Sequence, residues 1–291
     1  VSTTARAALE RGIADGLHYG AQLSVVHNGR CADLCVGVAT PGVAMTPEHV
    51  LCWSSSVKPV LSIALGLLFE RGLVDFDDPV SKHLPDFAAG GKGAITIAHL
   101  LTHTAGLWHT MTATGETEAP AAILAEICKK PLEADWVPGK RCGYDTPAWY
   151  VGAGIVSAAD PKARPYEQFV EEEIFAPLGL AGCSIGMSPA RYAELSGAGR
   201  LALIYDVSLM ARGSRWKATP PDSSIERVQH ACPGGNGRGP ARELAALYAS
   251  LLREPGDGGG LLLPSTVDLL TRPAREGVYD ELQGTDTAWS L

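Results

Sequence analysis

The most continuous apolar stretch of the chain lies within residues 51–70, where apolar residues follow one another with almost no polar interruption. These apolar positions are Val60, Leu61, Ile63, Ala64, Leu65, Leu67 and Leu68. A segment that is apolar on all sides is typical of a helix buried inside a domain rather than of a surface helix. We therefore predict a buried helix here, with its amino-terminal end close to Ser55.

The residues before this helix carry a different pattern. Apolar positions at helical spacing predict a first helix over residues 4–17. Two β-rich runs, residues 22–27 and 31–39, flank Asn28 and Gly29. Because Asn-Gly between two such runs is a strong hairpin pattern, we predict two antiparallel strands. A helix lying on a hairpin is a typical start of an α+β domain.

Further helices are predicted downstream from apolar spacing and from capping residues. Thr96 caps a segment that is predicted to end at Gly106, and Pro240 opens a helix with Leu244, Leu247, Tyr248, Leu251 and Leu252 on one face. The other predicted helices cover residues 121–130, 149–156, 166–180 and 261–269. Residues 197–235 are rich in Gly, Ser and Pro and are predicted to be irregular.

Ser55 and Lys58 are three residues apart at the start of the predicted buried helix. Residues at this spacing share a helix face, so a hydroxyl and an amine can meet there as nucleophile and base. A helix amino terminus adds unpaired N–H groups and a positive dipole, which suit an oxyanion. Taken alone, a serine at this spacing is more often a capping serine beside a solvated lysine, and the same spacing recurs at Ser214 and Lys217. The buried helix that follows Ser55 favours the catalytic pair.

Composition limits the classes of partner. The chain is 46% hydrophobic and 19% charged, with a net charge of −8, and its 24 basic residues never gather into a basic run. We expect a small-molecule partner, with neither nucleic acid nor a membrane surface. The seven cysteines show no Cys-x-x-Cys pair and no histidine at metal spacing, so we expect reduced thiols, no metal or other cofactor, and a cytoplasmic location.

Two strings downstream of Ser55 make the pattern specific. They are DDPVSKHLPDF at residues 77–87 and ITIAHLLTHTAGL at residues 95–107. Together with Ser-x-x-Lys they resemble the serine β-lactamase-like superfamily, which includes class C β-lactamases, D-alanyl-D-alanine carboxypeptidases, and esterases and transacylases. The resemblance implies an α+β fold with an antiparallel sheet flanked by helices and a mostly helical lobe, and a structural turn at His103.

The resemblance extends to a second motif. Tyr144 follows Pro138-Gly139 as the tyrosine of the family's Tyr-x-Asn motif does, but Thr146 stands where the family usually has asparagine. The asparagine side chain commonly binds the substrate carbonyl or amide. Threonine offers a shorter hydroxyl that can donate or accept, so we expect Thr146 to be a substrate-binding residue of changed preference.

The third motif, Lys-Thr-Gly or His-x-Gly, is not found in a suitable position. The His-x-Gly strings at His18 and His27 lie at the end of the first predicted helix and in the hairpin turn. We therefore expect the strands that carry this motif to lie beyond Leu291. Within residues 1–291 we expect a single catalytic domain, with an α/β lobe formed by residues 1–50 and 232–291 and a helical lobe formed by residues 51–231.

The resemblance implies acyl transfer through a covalent serine. Ser55 would attack a carbonyl, Lys58 would take its proton or hold Tyr144 as a phenolate, and Tyr144 would protonate the leaving group. We expect a small-molecule ester as substrate and water, an alcohol or an amine as acceptor. The alternatives are a β-lactamase or D-alanyl-D-alanine carboxypeptidase acting on an amide, and a catalytically silent binding protein.

Ser184 offers a more distant alternative. It lies at the centre of Gly-x-Ser-x-Gly at residues 182–186, which formally matches the nucleophile elbow of α/β-hydrolases. That elbow requires a helix to begin at the serine, whereas Met187, Ser188 and Pro189 follow here. We therefore interpret the match as coincidental.

Overall fold

Helices alternate with short antiparallel strands in the computed structural model, which describes residues 2–110, 118–202, 204, 224–252 and 260–291. The α-helices are α1 (Thr3–Ala14), α2 (Lys58–Glu70), α3 (Val80–His83), α4 (Ile97–Leu101), α5 (Pro120–Lys129), α6 (Pro147–Ala159), α7 (Tyr166–Val170), α8 (Pro189–Gly197), α9 (Ile225–Gln229), α10 (Ala241–Ser250) and α11 (Pro264–Thr271). The strands are β1 (Gly20–His27), β2 (Arg30–Thr40), β3 (Val43–Ala44), β4 (Leu51–Ser54), β5 (Ser184–Ile185), β6 (Gly237–Gly239), β7 (Tyr279–Asp280) and β8 (Thr285–Asp286).

The predicted hairpin is confirmed. Strands β1 and β2 pair antiparallel from Gly20 opposite Gly37 to His27 opposite Arg30. Asn28 and Gly29 both have positive φ, at 49° and 72°, which is the two-residue turn whose twist matches the strands. Strand β3 pairs with β2, and helices α1 and α10 pack against this sheet.

A second small sheet leads the chain to Ser55. Its strand order is β4-β6-β5, with antiparallel pairing throughout. The indole N–H of Trp53 in β4 donates to the carbonyl of Gly239 in β6 at 3.0 Å. A Cβ on Gly237 would lie 2.3 Å from Val57 Cγ2, so only glycine permits this close approach of β6 to the turn at Ser55.

The predicted buried helix is α2. Every residue from Val60 to Leu68 in it is buried, and Lys58 is only 4% exposed. Helix α6 packs against α2, and Gly152 of α6 makes this possible, because a Cβ there would lie 2.5 Å from Leu61 Cδ2. Each fully buried aliphatic side chain contributes about 1.5 to 3 kcal/mol, so α2 is a rigid support for the residues at its first turn.

Several predicted helix bounds are wrong. Thr96 caps α4 as predicted, but the helix ends at Leu101 rather than at Gly106, because His103 has φ 58° and cannot continue a right-handed helix. The helix predicted over residues 166–180 is α-helical only as far as Val170 and continues as a π-helical turn to Phe175.

Two predictions near the end of the chain also need correction. Leu252 does not share the apolar face of α10, because that helix ends at Ser250 and Leu252 is 86% exposed. The stretch predicted to be irregular contains helix α9, which Ser224 caps by accepting a hydrogen bond from the Arg227 N–H. The second Ser-x-x-Lys string lies outside the described residues.

Candidate active site

Ser55 lies at a sharp change of direction between strand β4 and helix α2. The residue before it, Ser54, has φ 47° and ψ −135°, a combination that is uncommon for a residue with a side chain. The chain then makes a 3-10 turn over Ser55–Val57 before α2 begins. Strained residues of this kind cost about 1 to 3 kcal/mol and concentrate at functional sites. Here the strain leaves the Ser55 side chain exposed at the end of a buried helix.

Lys58 places a buried ammonium group beside this exposed hydroxyl. Its Nζ donates to Ser55 Oγ at 3.3 Å and to the carbonyl oxygen of Gly234 at 2.7 Å. The same nitrogen lies 4.9 Å from the ring centroid of Tyr144 and 4.9 Å from that of Trp149. A carbonyl oxygen and two aromatic faces are partners that attract a cation.

Tyr144 and Thr146 lie on the loop that leads into helix α6. Ser55, Lys58 and Tyr144 all line one cavity of about 540 Å³. Within the described part of the chain, no hydrogen bond joins the Tyr144 hydroxyl to Lys58 or Ser55. Thr146 does not line this cavity, and its γ-methyl faces Gly234, where a Cβ would lie 3.2 Å away from it. The structure thus brings three of the four predicted residues to the cavity, whereas Thr146 lies beside Gly234 and does not line it.

The chain around this cavity matches a known family over almost its whole length. The model of the family described as Beta-lactamase matches residues 5–291. The chain belongs to the Beta-lactamase family. This match confirms the resemblance that the strings at residues 77–87 and 95–107 indicate.

Curated relatives of this Beta-lactamase family chain have several activities. Monacolin J acid methylbutanoyltransferase of Aspergillus terreus is 29% identical over 262 residues, which are 79% of this chain and 59% of that protein. D-alanyl-D-alanine-carboxypeptidase/endopeptidase AmpH of Escherichia coli is 27% identical over 74% of this chain and 59% of its own length. Esterase EstB of Burkholderia gladioli is 27% identical over 52% of this chain and 43% of its own length. The chain spans less than two thirds of each relative.

Solved structures of low identity share the fold. A family VIII carboxylesterase superposes with a TM-score of 0.82 at 22% identity, covering 99% of this chain and 79% of its own. A penicillin-binding protein homologue from Caulobacter crescentus gives 0.80 at 24% identity, covering 98% and 78%. These matches confirm the predicted α+β class, with antiparallel sheets and flanking helices.

His103 packs against two aromatic residues that line the cavity of this Beta-lactamase family chain. It is fully buried, and its ring centroid lies 4.4 Å from that of Tyr144 and 4.5 Å from that of Trp149. Its Nδ1 accepts a hydrogen bond from the Asp145 N–H at 3.0 Å, which assigns the proton of the neutral ring to Nε2. Burial lowers the pKa of His103, against the opposing effect of the Asp145 carboxylate.

Gly234 is the site residue that the sequence patterns did not reveal. Its carbonyl is the shortest hydrogen-bond partner of Lys58, although the two residues are 176 positions apart. A Cβ on Gly234 would lie 3.3 Å from Lys58 Nζ and 3.2 Å from Trp149 Cβ. The one available clue was the run of glycines after Pro233, because glycine permits close approach of backbone to a side chain.

Ser184 lacks the geometry of a nucleophile elbow. It lies on the short edge strand β5, and the next helix, α8, begins only at Pro189. Its Oγ is buried and has no hydrogen-bond partner among the described residues. The interpretation of this Gly-x-Ser-x-Gly match as coincidental agrees with these observations.

The cysteines form no disulfide. All seven are unpaired, and burial raises the pKa of the Cys142 thiol to about 12 and that of Cys183 above its ordinary value. Neither thiol supplies a thiolate near neutral pH. Among the residues that the structure describes, no group of three His, Cys, Asp or Glu side chains is arranged to hold a metal ion, and no helix has the length and apolarity of a membrane span.

Proposed function

We propose that the chain is a serine acyl-enzyme hydrolase or transacylase that acts on a small-molecule ester. The observation that carries the proposal is the contact of Lys58 Nζ with Ser55 Oγ at 3.3 Å, where an exposed hydroxyl meets a buried amine beside Tyr144. The esterase and the methylbutanoyltransferase among the relatives support it, because both names describe acyl chemistry on this family's fold.

Ser55 is the nucleophile in this proposal. Its Oγ attacks the ester carbonyl carbon while its proton passes to the Tyr144 phenolate oxygen. The negative charge that develops on the carbonyl oxygen is stabilised by the Ser55 backbone N–H at the start of the helix. Collapse of the tetrahedral intermediate breaks the bond to the alkoxide oxygen, which takes the proton from Tyr144 and leaves as an alcohol.

Lys58 acts as the cation that favours the phenolate of Tyr144. Its contacts with the Gly234 carbonyl and with two aromatic faces support this role over that of a neutral base. In the second half of the reaction, water, an alcohol or an amine gives its proton to Tyr144 and attacks the acyl carbon, which restores Ser55. Neither half needs a cofactor.

An amide substrate is the second candidate, as in a β-lactamase or a D-alanyl-D-alanine carboxypeptidase. The similarity to AmpH over 74% of this chain favours it. Thr146 argues for the ester, because it replaces the amide-binding asparagine expected at that position and turns its methyl group toward Gly234.

The test measures p-nitrophenyl ester hydrolysis and nitrocefin hydrolysis, each with and without an added alcohol or amine. We expect ester turnover that Ser55→Ala lowers about 1,000-fold or more, with Ser56→Ala as the matched control on the adjacent hydroxyl. Nitrocefin turnover without ester turnover would contradict the proposal in favour of a β-lactamase.

A fluorophosphonate probe followed by mass mapping identifies the nucleophile independently of the substrate. We expect labelling at Ser55 that Ser55→Ala abolishes and Ser184→Ala leaves unchanged. Labelling at Ser184 would support the α/β-hydrolase alternative, and no labelling would support a silent binding protein.

A further inference from the structure

The loop that carries Tyr144 is held in place from outside. The backbone N–H groups of three consecutive residues, Gly143, Tyr144 and Asp145, donate to residues far away in sequence. None of the three hydrogen bonds belongs to a helix or a strand ladder. Gly143 donates to the carbonyl of His103 at 3.0 Å, and Asp145 donates to His103 Nδ1 at 3.0 Å. Between them, Tyr144 donates to Asp280 Oδ1 at 3.2 Å. The orientation of the Tyr144 peptide therefore depends on two residues that are far away in sequence.

The carboxylate of Asp280 is buried and accepts several hydrogen bonds besides that from Tyr144. Asp280 is 2% exposed, and its Oδ1 also accepts from the N–H groups of Leu282 and Gln283, both at 3.0 Å. Its Oδ2 accepts from the Cys142 thiol at 3.2 Å. Burial opposes ionisation, but these hydrogen bonds together lower the pKa of Asp280. A buried carboxylate with this many donors is a strong and directional acceptor.

The segment that contains Asp280 is itself fixed to the core. Arg275 donates to the carbonyl of Thr102 at 3.0 Å and to that of Thr287 at 3.1 Å, and it also contacts the Cys142 thiol. Arg275 and Trp289 form an antiparallel bridge. Because Thr102 directly precedes His103, the acceptors on both sides of Tyr144 belong to one connected network.

We infer that Asp280 is a positioning residue that holds the Tyr144 ring at its place over Lys58. This inference rests on the proposed function, in which Tyr144 transfers the proton between Ser55 and the leaving group. Without the carboxylate, the Tyr144 peptide can rotate and carry the hydroxyl away from the reacting atoms. A displacement of about 1 Å in a catalytic group costs about 100-fold in rate.

The test compares Asp280→Ala with Asp280→Asn by steady-state ester hydrolysis. Asparagine keeps a side-chain oxygen that can accept from Tyr144, whereas alanine does not. We expect Asp280→Ala to lower kcat about 10- to 100-fold with KM changed less than about threefold, and Asp280→Asn to retain kcat within about fivefold. Asp286→Ala is the matched control, because its exposed carboxylate lies on the neighbouring strand β8 and, among the described residues, makes no ion pair or hydrogen bond with the loop that carries Tyr144.

A double-mutant cycle separates positioning from a general structural effect. If Asp280 acts through Tyr144, then Asp280→Ala lowers kcat no further when it is combined with Tyr144→Phe. The folded fraction of each preparation, measured by urea denaturation, corrects kcat for unfolded protein. If Asp280→Ala fails to fold, Asp280→Glu, whose longer side chain displaces the carboxylate from the Tyr144 N–H, carries the same cycle.

The outcomes are distinct. Full kcat in Asp280→Ala would overturn the positioning role. So would a loss of kcat on Asp280→Ala that is the same in the wild type and in Tyr144→Phe. Both results would leave the proposed function intact. Full activity in Tyr144→Phe would instead remove the role of Tyr144 in the proposed function, and the inference with it.

Discussion

Among the residues that the structure describes, Lys58 and Lys92 are the two buried lysines, and their surroundings differ. Lys92 is fully buried, and its Nζ donates to three carbonyl oxygens, those of Ala89 at 2.6 Å, Cys128 at 3.1 Å and Lys130. Lys58 is 4% exposed, and its Nζ has one carbonyl partner, one serine hydroxyl and two aromatic faces.

The difference separates a structural lysine from a candidate catalytic one. An ammonium group has three N–H donors. At Lys92 all three are used by carbonyl oxygens, so the side chain ties the 3-10 segment Pro85–Gly91 to the end of α5. At Lys58 one donor meets a hydroxyl that lines an open cavity. Burial alone therefore does not mark a lysine as catalytic. A hydrogen bond from a buried lysine to a hydroxyl that lines a cavity does favour that interpretation.

The largest expected effect is on activity, at Lys58. Lys58→Met removes the charge and keeps the apolar stem, so we expect ester hydrolysis to fall about 1,000-fold, while the one buried carbonyl left without a donor, that of Gly234, lowers the free energy of unfolding by only about 1 kcal/mol. Initial-rate assays and urea denaturation measure the two quantities, and Lys92→Met is the matched control for activity. More than about a tenth of the activity in Lys58→Met would mean that the Ser55 hydroxyl is activated elsewhere.

The next effect is on stability, at Lys92. Lys92→Met leaves three buried carbonyl oxygens without a donor, and each unsatisfied acceptor costs about 1 to 3 kcal/mol. Allowing for relaxation, we expect the free energy of unfolding to fall by about 3 kcal/mol, with kcat per folded molecule changed less than about twofold. An unchanged urea midpoint would contradict the structural role assigned to this ammonium group.

Local patterns predicted the parts of the molecule that local interactions determine. The apolar run of α2 and the Asn28-Gly29 hairpin are examples, because a buried helix needs apolar residues on all sides and a two-residue turn needs positive φ. The bounds of α4 could not be predicted in this way. His103 adopts φ 58° where its ring packs against Tyr144 and Trp149, and these residues come from a later part of the chain.

The candidate site shows the same division. The Ser-x-x-Lys spacing and the strings that follow it indicated Ser55, Lys58 and Tyr144, because family motifs are local in sequence. Gly234 lies 176 positions from Lys58, and Asp280 lies 136 positions from Tyr144. A backbone carbonyl and a lone aspartate carry no local pattern, so their roles emerge only from the folded chain. Lys92, in a Gly-Lys-Gly string, likewise gave no sign of its burial.

We expect the free energy of unfolding to fall at acid pH because of His230, which lies near Lys58 in the fold. His230 Nε2 is hydrogen-bonded to the Tyr150 hydroxyl at 2.7 Å, and the Asn236 side chain, two residues after Gly234, donates to the His230 carbonyl at 2.7 Å. Burial, with a smaller contribution from Arg227, lowers the pKa of His230 to about 4. Protonation of His230 is therefore disfavoured in the folded state. His230 lies next to the segment that contains Gly234, whose carbonyl accepts from Lys58.

The sign of the pH dependence follows from these two pKa values. Below the unfolded pKa of about 6.5, the unfolded chain binds a proton that folded His230 does not bind until about pH 4. The stabilisation is complete above about pH 6.5 and is lost as the pH falls, by about 2 kcal/mol at pH 5. Urea unfolding at pH 7 and pH 5 should show this extra loss in the wild type relative to His230→Gln. Equal losses in both proteins would contradict the assignment.

The smallest expected effect concerns Thr146, whose γ-methyl faces Gly234, the residue whose carbonyl accepts from Lys58. Thr146→Asn restores the amide side chain that the family usually has there, and asparagine can both donate to and accept from an amide substrate. We expect the ratio of nitrocefin to p-nitrophenyl ester turnover to rise about three- to tenfold, which corresponds to about one hydrogen bond. Thr146→Val, which keeps the γ-methyl and replaces the hydroxyl with a second methyl group, is the matched control. Because the γ-methyl of Thr146 packs toward Gly234, asparagine must point away from that glycine to reach the cavity. An unchanged ratio in Thr146→Asn, with ester turnover intact, would show that substrate preference is set by other residues and that Thr146 serves only to pack against the Gly234 backbone.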